Sequence, residues 1–202
     1  MSFLKKVILV TSPPACGKTF ISKQLAAALR HIVYLDKDTL IPLSKQIFAV
    51  AGQPYNRSSD FFERYIRDLE YEVTLDLAME ALQYEDIVLI NAPFTREIRN
   101  PEYIAGLRKN LAARGAELVI IWVETRPEIC HQRMISRASD RDSWKLDHWD
   151  EYISKINFNP PDDLRLPNQP DSLLIFHNSS EEEFKASMKE IVETLETAVA
   201  EG

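Results

Sequence analysis

Apolar residues in this chain fall into five short continuous runs, separated by longer stretches in which they recur every three or four positions. Val7-Ile8-Leu9-Val10, His31-Ile32-Val33-Tyr34-Leu35, Ile87-Val88-Leu89-Ile90, residues 117–123 (ELVIIWV) and Ser172-Leu173-Leu174-Ile175-Phe176 are the runs, as expected of strands buried on both faces of a parallel sheet. Helical spacing fills the gaps. Residues 18–29 carry Ile21, Leu25, Ala28 and Leu29 on one face. A helix is expected to run from after Asp38 to Val50, where Gly52 and Pro54 stop it. Residues 58–83 read as one long helix capped by Ser59 or Asp60, with Phe61, Phe62, Tyr65, Ile66, Leu69, Val73, Leu77 and Leu82 as a broad apolar stripe. Further helices are expected over 101–114, closed by Gly115, from Pro127 onward, and over 181–199 behind a Ser179 or Ser180 cap. Strict alternation of strand and helix predicts one α/β domain, residues 1–202, built on a five-stranded parallel sheet flanked by helices.

Composition narrows the class. The 202 residues suffice for one sizeable domain, and the 45% hydrophobic and 27% charged content is that of an ordinary globular protein. A net charge of −7 argues against a surface that coats nucleic acid. No apolar run reaches membrane-spanning length, and residues 1–6 do not form a signal peptide, so a cytoplasmic location is expected. The two cysteines, Cys16 and Cys130, give neither a disulfide framework nor a zinc pattern.

The candidate chemistry starts at the end of the first strand. Ser12-Pro13-Pro14-Ala15-Cys16-Gly17-Lys18-Thr19 is a tight turn that opens directly into a helix with Lys18, Thr19 and Phe20. A helix N-terminus presents free N–H groups and a partial positive charge, which suit a phosphate. Gly17 lets backbone approach an anion, Lys18 can reach the outer phosphates, and the Thr19 hydroxyl can hold Mg²⁺. The stretch resembles the Walker A motif of P-loop NTPases, G-x-x-x-x-G-K-[ST], with Ser12 in place of the first glycine and Ala15 where many P-loop kinases have glycine.

Other candidates follow at strand ends, where open parallel sheets keep their working residues. Asp36 and Asp38 end the second strand; Asp38 is the candidate general base or metal-supporting carboxylate, with helix capping as the alternative for either. Asn91 ends the third strand, where P-loop proteins often keep a metal-supporting acid. The stretch 92–96 and Arg96 and Arg99 could grip a phosphate or carboxylate, and Arg57, Arg64 and Arg67 could face a substrate; solvated arginines are the alternative in both cases. Arg133, Arg137 and Arg141 are spaced by four, which places three like charges on one helix face and suggests a shared anion, with surface ion pairs to Glu128, Asp140 or Asp142 as the alternative. Residues 143–171, with Trp144, Trp149, Tyr152, Phe158 and Asn159-Pro160-Pro161, read as a flap plus connector; His148, His131 and His31 read as ordinary packed or surface histidines.

Taken together, the P-loop on the first turn, Asp36-x-Asp38 after the second strand and R-x-x-x-R after the fourth resemble the P-loop kinases, a group including gluconate, shikimate and adenylylsulfate kinases, chloramphenicol phosphotransferase, polynucleotide kinase and zeta toxins, with small bacterial AAA-family ATP-binding proteins nearby. The resemblance implies a three-layer P-loop NTPase fold with a helical lid over about 133–165 and an acceptor-side helical region over about 40–83. It implies an ATP-dependent kinase that uses Mg²⁺ and phosphorylates a small-molecule hydroxyl. Pro14, Ala15, Cys16, Gly17, Lys18, Thr19, Phe20 and Arg133 would bind ATP, Thr19 and Asp38 the metal, and Lys18, Asp38, Arg133 and Arg137 would act in transfer. A nucleotide-dependent switch or weak ATPase and a nucleic-acid 5′-hydroxyl kinase are the alternatives, and a homodimer is left open.

Overall fold

The computed structural model describes residues 5–138 and 142–200, with side chains to residue 196. Five strands, β1 (Lys5–Thr11), β2 (Ile32–Asp36), β3 (Ile87–Asn91), β4 (Ala116–Glu124) and β5 (Leu173–His177), form one parallel sheet in the order β2-β3-β1-β4-β5. The helices are α1 (Lys18–Ala28), α2 (Ile41–Val50), α3 (Asp60–Tyr65), α4 (Arg67–Ala81), α5 (Pro101–Ala112), α6 (Pro127–Arg137), α7 (Ser143–Asp147), α8 (Trp149–Lys155) and α9 (Glu181–Ala200). All five expected strands are present, each within about two residues of its apolar run.

The pleat sorts alternate strand residues onto two cores. Val7, Leu9, Val88, Ile90, Leu118, Ile120 and Trp122 pack with Tyr71, Ala78 and Leu82 of the α4 region and with Ile104, Leu107 and Leu111 of α5. Ile8, Val10, Leu89, Val119, Ile121 and Val123 pack on the other face with Ile21 and Leu25 of α1 and Ile191 and Leu195 of α9. Helices therefore cover both faces of the sheet, which is why its strands read as unbroken apolar runs. Among the described residues, no helix is long and apolar enough to cross a membrane.

The expected helix over 58–83 is two helices, and its stripe is not the buried face. The backbone breaks at Ile66, with φ −127°. Phe62 and Ile66 are buried against Phe48 of α2, but Tyr65, Leu69, Val73 and Leu77 are exposed, Leu69 by 54%. The inward face of α4 instead carries Arg67, Glu70, Tyr71, Thr74 and Ala78. Charged residues turn inward because each is neutralised there. Glu70 takes a bidentate pair from Arg57, with both N···O distances 2.6 Å, a 2.9 Å bond from Lys37 Nζ and one from the Ser44 hydroxyl. Arg67 pairs with Asp68 and Glu97 at 2.7 Å each. Arg57 and Arg67 are thus each held by a carboxylate of a neighbouring element, Glu70 and Glu97.

Burial alone would raise the Glu70 carboxyl, but hydrogen bonds from Arg57, Ser44 and Lys37 outweigh it and hold it down at about 2. A depressed folded-state pKa stabilises the fold above the ordinary carboxylate range, by about 3 kcal/mol here, and that contribution disappears as pH falls from about 4.5 towards 2. Glu70→Gln leaves the buried Lys37 ammonium with only the exposed Asp38 carboxylate and removes the carboxylate that Arg57 grips, and is expected to cost about 3–5 kcal/mol at pH 7. Denaturant unfolding of both proteins checks this: the difference should be large at pH 7 and shrink towards pH 3.

Candidate active site

The turn from β1 into α1 wraps around the carbonyl of Cys16. That oxygen accepts from Thr125 Oγ1 at 3.0 Å, Asn178 Nδ2 at 2.7 Å and Arg133 Nη1 at 3.2 Å. In a trans peptide the following N–H points opposite to the carbonyl, so these three donors aim the Gly17 N–H away from themselves. Gly17 has φ +93° and Ala15 has φ +64°, both in the left-handed region. A Cβ on Gly17 would sit 2.5 Å from Asn178 Nδ2. Gly17→Ala is therefore expected to cost about 1–2 kcal/mol from backbone strain alone, to displace Asn178, and to weaken nucleotide binding about tenfold or more; calorimetric titration with an ATP analogue checks it. The Cys16 side chain turns into the core, its Sγ 3.5 Å from Cys130 Sγ. The hydrogen bond with Cys130, then burial, pushes the Cys16 thiol far up, so it stays neutral.

Because β3 lies between β1 and β2, Asn91 stands between the P-loop and Asp36, with Asp36 directly opposite it in register. Lys18 Nζ donates to Asn91 Oδ1 at 2.7 Å. An ammonium has no acceptor to offer, so this bond fixes the amide's orientation and turns Nδ2 the other way. Nδ2 lies 3.0 Å from Asp36 Oδ2, 3.3 Å from Thr19 Oγ1 and 3.3 Å from the Tyr34 hydroxyl. Burial, and then the Asp36 charge, push the Tyr34 phenol up; it stays protonated and donates to Asp36 Oδ2 at 3.0 Å. The carboxylate that shares the Asn91 amide with Thr19 is thus Asp36. Asp38 is not among the partners of Asn91: its backbone N–H donates to Asp36 Oδ1 at 3.0 Å and its exposed carboxylate receives Lys37 Nζ at 3.2 Å. Asp36 caps that turn, the alternative role read from the sequence, and also accepts from the Asn91 amide.

A cavity of about 940 Å³ opens over the P-loop and Asp38. The whole turn from Ser12 to Phe20 lines it, as do Asp38, Arg133 and Arg137, so every residue proposed from the sequence for nucleotide binding or transfer is brought to one place. Pro93, Thr95, Arg99, Trp122, Lys155, Ile156 and Asn157 line it too. The Thr11 hydroxyl donates to the Pro93 carbonyl and fixes the loop after β3 against the P-loop. Arg133 divides its guanidinium between the Cys16 carbonyl and the Asn178 carbonyl, at 3.2 and 2.9 Å. Arg137 pairs with Asp142, which is completely buried and also takes Lys145 at 3.1 Å. Hydrogen bonds from Arg137 and Lys145 hold the Asp142 carboxyl below its ordinary range against the opposing effect of burial. An ion pair therefore accounts for Arg137, although it lies in the cavity wall; Arg141 lies outside the described residues.

Several expected residues stand elsewhere. Arg96 is paired with Glu63 at 2.6 Å. His148 stacks on Trp144 and His131 on Trp149, with ring centroids 4.9 and 4.1 Å apart, and neither histidine lines the cavity. Reasoning from sequence missed Thr125 and Trp122, whereas the stretch 177–180 that ends the fifth strand is expected at the P-loop edge, where Asn178 stands. Thr125 and Asn178 directly follow β4 and β5, so the rule of strand ends that found Asp36 was their only available signal.

The donor set fits a hard cation. Thr19 hydroxyl and Asp36 carboxylate oxygens lie around one amide group, and Mg²⁺ needs few protein oxygens because it keeps several waters. Among the described residues no cluster of three or more His, Cys, Asp or Glu could hold a metal by itself.

Solved structures similar to this chain include proteins described as kinases. At 21% identity a candidate kinase from Chloroflexus aurantiacus J-10-fl superposes with a TM-score of 0.66, covering 96% of this chain and 98% of that one. Shikimate kinase from Bacteroides thetaiotaomicron follows at 16% identity and TM-score 0.53, covering 94% and 98%. A gluconokinase from Sinorhizobium meliloti 1021 gives 14% and 0.52, covering 97% and 98%. At such identities these likenesses show the shared fold alone. No curated protein sequence matches the chain. The sequence profile described as an AAA domain matches residues 7–158, from the first core strand to the connector after α8. With its P-loop, its five-stranded parallel sheet and this match over most of its length, the chain belongs to the AAA domain family and is a P-loop kinase-like NTPase.

Proposed function

We propose that the protein is an ATP-dependent phosphotransferase that moves the γ-phosphoryl group of Mg-ATP to a hydroxyl of a small molecule. The observation that supports this reading is one cavity of about 940 Å³ whose walls include the entire P-loop, Asp38 and residues from outside the loop, Pro93, Thr95, Arg99 and Asn157 among them.

In this reading the N–H groups at the start of α1, with Gly17 aimed by the bonds on Cys16, cradle the phosphates, and Lys18 contacts the outer ones. Thr19 and Asp36 would hold Mg²⁺, directly or through water, and the ion would neutralise charge building on the phosphoryl oxygens. Asp38, exposed to the cavity, takes the proton of the attacking hydroxyl. Arg133 and Arg137 stand where they can stabilise the transferring group. Segment 133–165 acts as the lid, and α2 to α4 frame the acceptor side.

Asn91 in place of an acid favours a second reading, a nucleotide-dependent switch with weak turnover. What supports the transferase against it is Asp36, which brings a carboxylate to the Asn91 amide from the neighbouring strand. The test is mass spectrometry of mixed sugars, nucleosides and aminoglycoside-type alcohols incubated with the protein and Mg-ATP. A phosphorylated product supports the transferase; tight nucleotide binding without any phosphorylated product supports the switch.

A further inference from the structure

We propose that the acceptor carries an oxyanion group, and that Arg99 binds it in the cavity wall beside Trp122; this rests on the phosphotransferase reading above. The chain has a net charge of −7, yet its cavity is lined by Lys18, Arg99, Arg133, Arg137, Lys145 and Lys155 against the single carboxylate of Asp38. Most of these cations are already engaged. Arg137 and Lys145 share Asp142, and Lys155 pairs with Glu151 at 2.6 Å. Arg133 is spread over two carbonyls, and Lys18 donates to Asn91.

Arg99 differs. Among the described residues it pairs with no carboxylate, although Arg57, Arg67 and Arg96 on the surrounding elements all do. One nitrogen, Nη2, donates to the Asn159 carbonyl at 2.9 Å, which leaves most of the five guanidinium donors for a ligand. Its position is also fixed. The guanidinium lies 5.6 Å over the ring of Trp122, a contact that orients its plane. The Asn159 bond joins the loop after β3 to the connector that supplies Ile156 and Asn157 to the same wall.

Trp122 adds an independent sign. It lines the cavity, is 1% exposed, and its indole N–H has no hydrogen-bond partner among the described residues. A buried donor without an acceptor is uncommon and asks for one. A held guanidinium in a cavity that also holds Asp38 suits a compact organic molecule with one charged oxyanion end and a hydroxyl to offer to Asp38. Carboxylate and phosphate esters both meet that description, since guanidinium binds either through paired N–H bonds.

The test fills the P-loop first, so that only a second anion site can respond. Protein saturated with Mg²⁺ and a non-hydrolysable ATP analogue is titrated in a calorimeter with inorganic phosphate, with a sugar acid, with a sugar phosphate, and with the matching uncharged polyol. Saturable binding of at least one anion is expected, with the polyol binding at least tenfold more weakly. Arg99→Gln should weaken that anion about 10- to 100-fold while changing the analogue's affinity less than twofold, and Arg99→Lys should fall between. The anion arms distinguish a carboxylate end from a phosphate end. Equal binding of acid and polyol, no saturable anion binding, or anion binding that Arg99→Gln leaves unchanged overturns the proposal. Failure of the analogue itself to bind overturns the phosphotransferase reading, and with it this one.

Discussion

Lys18→Ala is expected to reduce phosphoryl transfer by roughly 10³-fold or more, which corresponds to about 4 kcal/mol of lost transition-state stabilisation. Two losses combine. The ammonium that would sit on the outer phosphates disappears. The Asn91 amide also loses the donor that fixes its orientation, since Lys18 Nζ bonds Asn91 Oδ1 at 2.7 Å. Without it the amide can turn and present oxygen to Asp36, where it now presents Nδ2. Steady-state rates at saturating Mg-ATP, beside calorimetric nucleotide affinity, separate the two. Removal of both contributions predicts that turnover falls further than binding. A variant that still transfers phosphoryl at near wild-type rate would remove Lys18 from the site.

The second large effect is expected at Asp38. Asp38→Asn should lower kcat by roughly 10²- to 10⁴-fold, the usual contribution of a positioned general base, with ATP affinity within about twofold. The side chain is exposed, lines the cavity and makes no bond to the P-loop or to Asn91, so its removal leaves the nucleotide site intact. Asp36→Asn is the instructive comparison. Asp36 accepts from Asn91, Tyr34 and the Asp38 backbone, so its loss should disturb Mg²⁺ dependence and structure together. Equal losses of turnover and binding in Asp38→Asn would show that it acts on the nucleotide and is not a base.

The sheet was legible because each strand is buried on both faces. Val7 to Val10 has no solvent face to interrupt it with polar residues. The phosphate turn was legible because its chemistry is local in sequence: Gly17, Lys18 and Thr19 are consecutive. The acceptor-side helices were not. An apolar stripe through Tyr65, Leu69, Val73 and Leu77 predicts the inward face only if charges point outward, and here Glu70 and Arg67 point inward because Arg57, Lys37 and Glu97 neutralise them from elsewhere in the chain. Such pairings cannot be read from spacing. The same holds for Asn91. As a residue it looks like a missing acid; beside Asp36, which the strand order places opposite it, it becomes a bridge between a carboxylate, Thr19 and Lys18. Arg133 and Arg137 share a helix face as their spacing requires, yet one is held by backbone carbonyls and the other by a buried Asp142. Periodicity located them without revealing what each one holds.

The most direct measurement is ADP release from Mg-ATP by the purified protein, with and without a panel of small hydroxyl compounds that includes sugar acids and sugar phosphates. The account predicts slow release alone and release stimulated manyfold by at least one acceptor, with the stimulation abolished in Lys18→Ala and in Asp38→Asn. Tight nucleotide binding with no acceptor able to raise the rate, or stimulation that survives in Asp38→Asn, would contradict it.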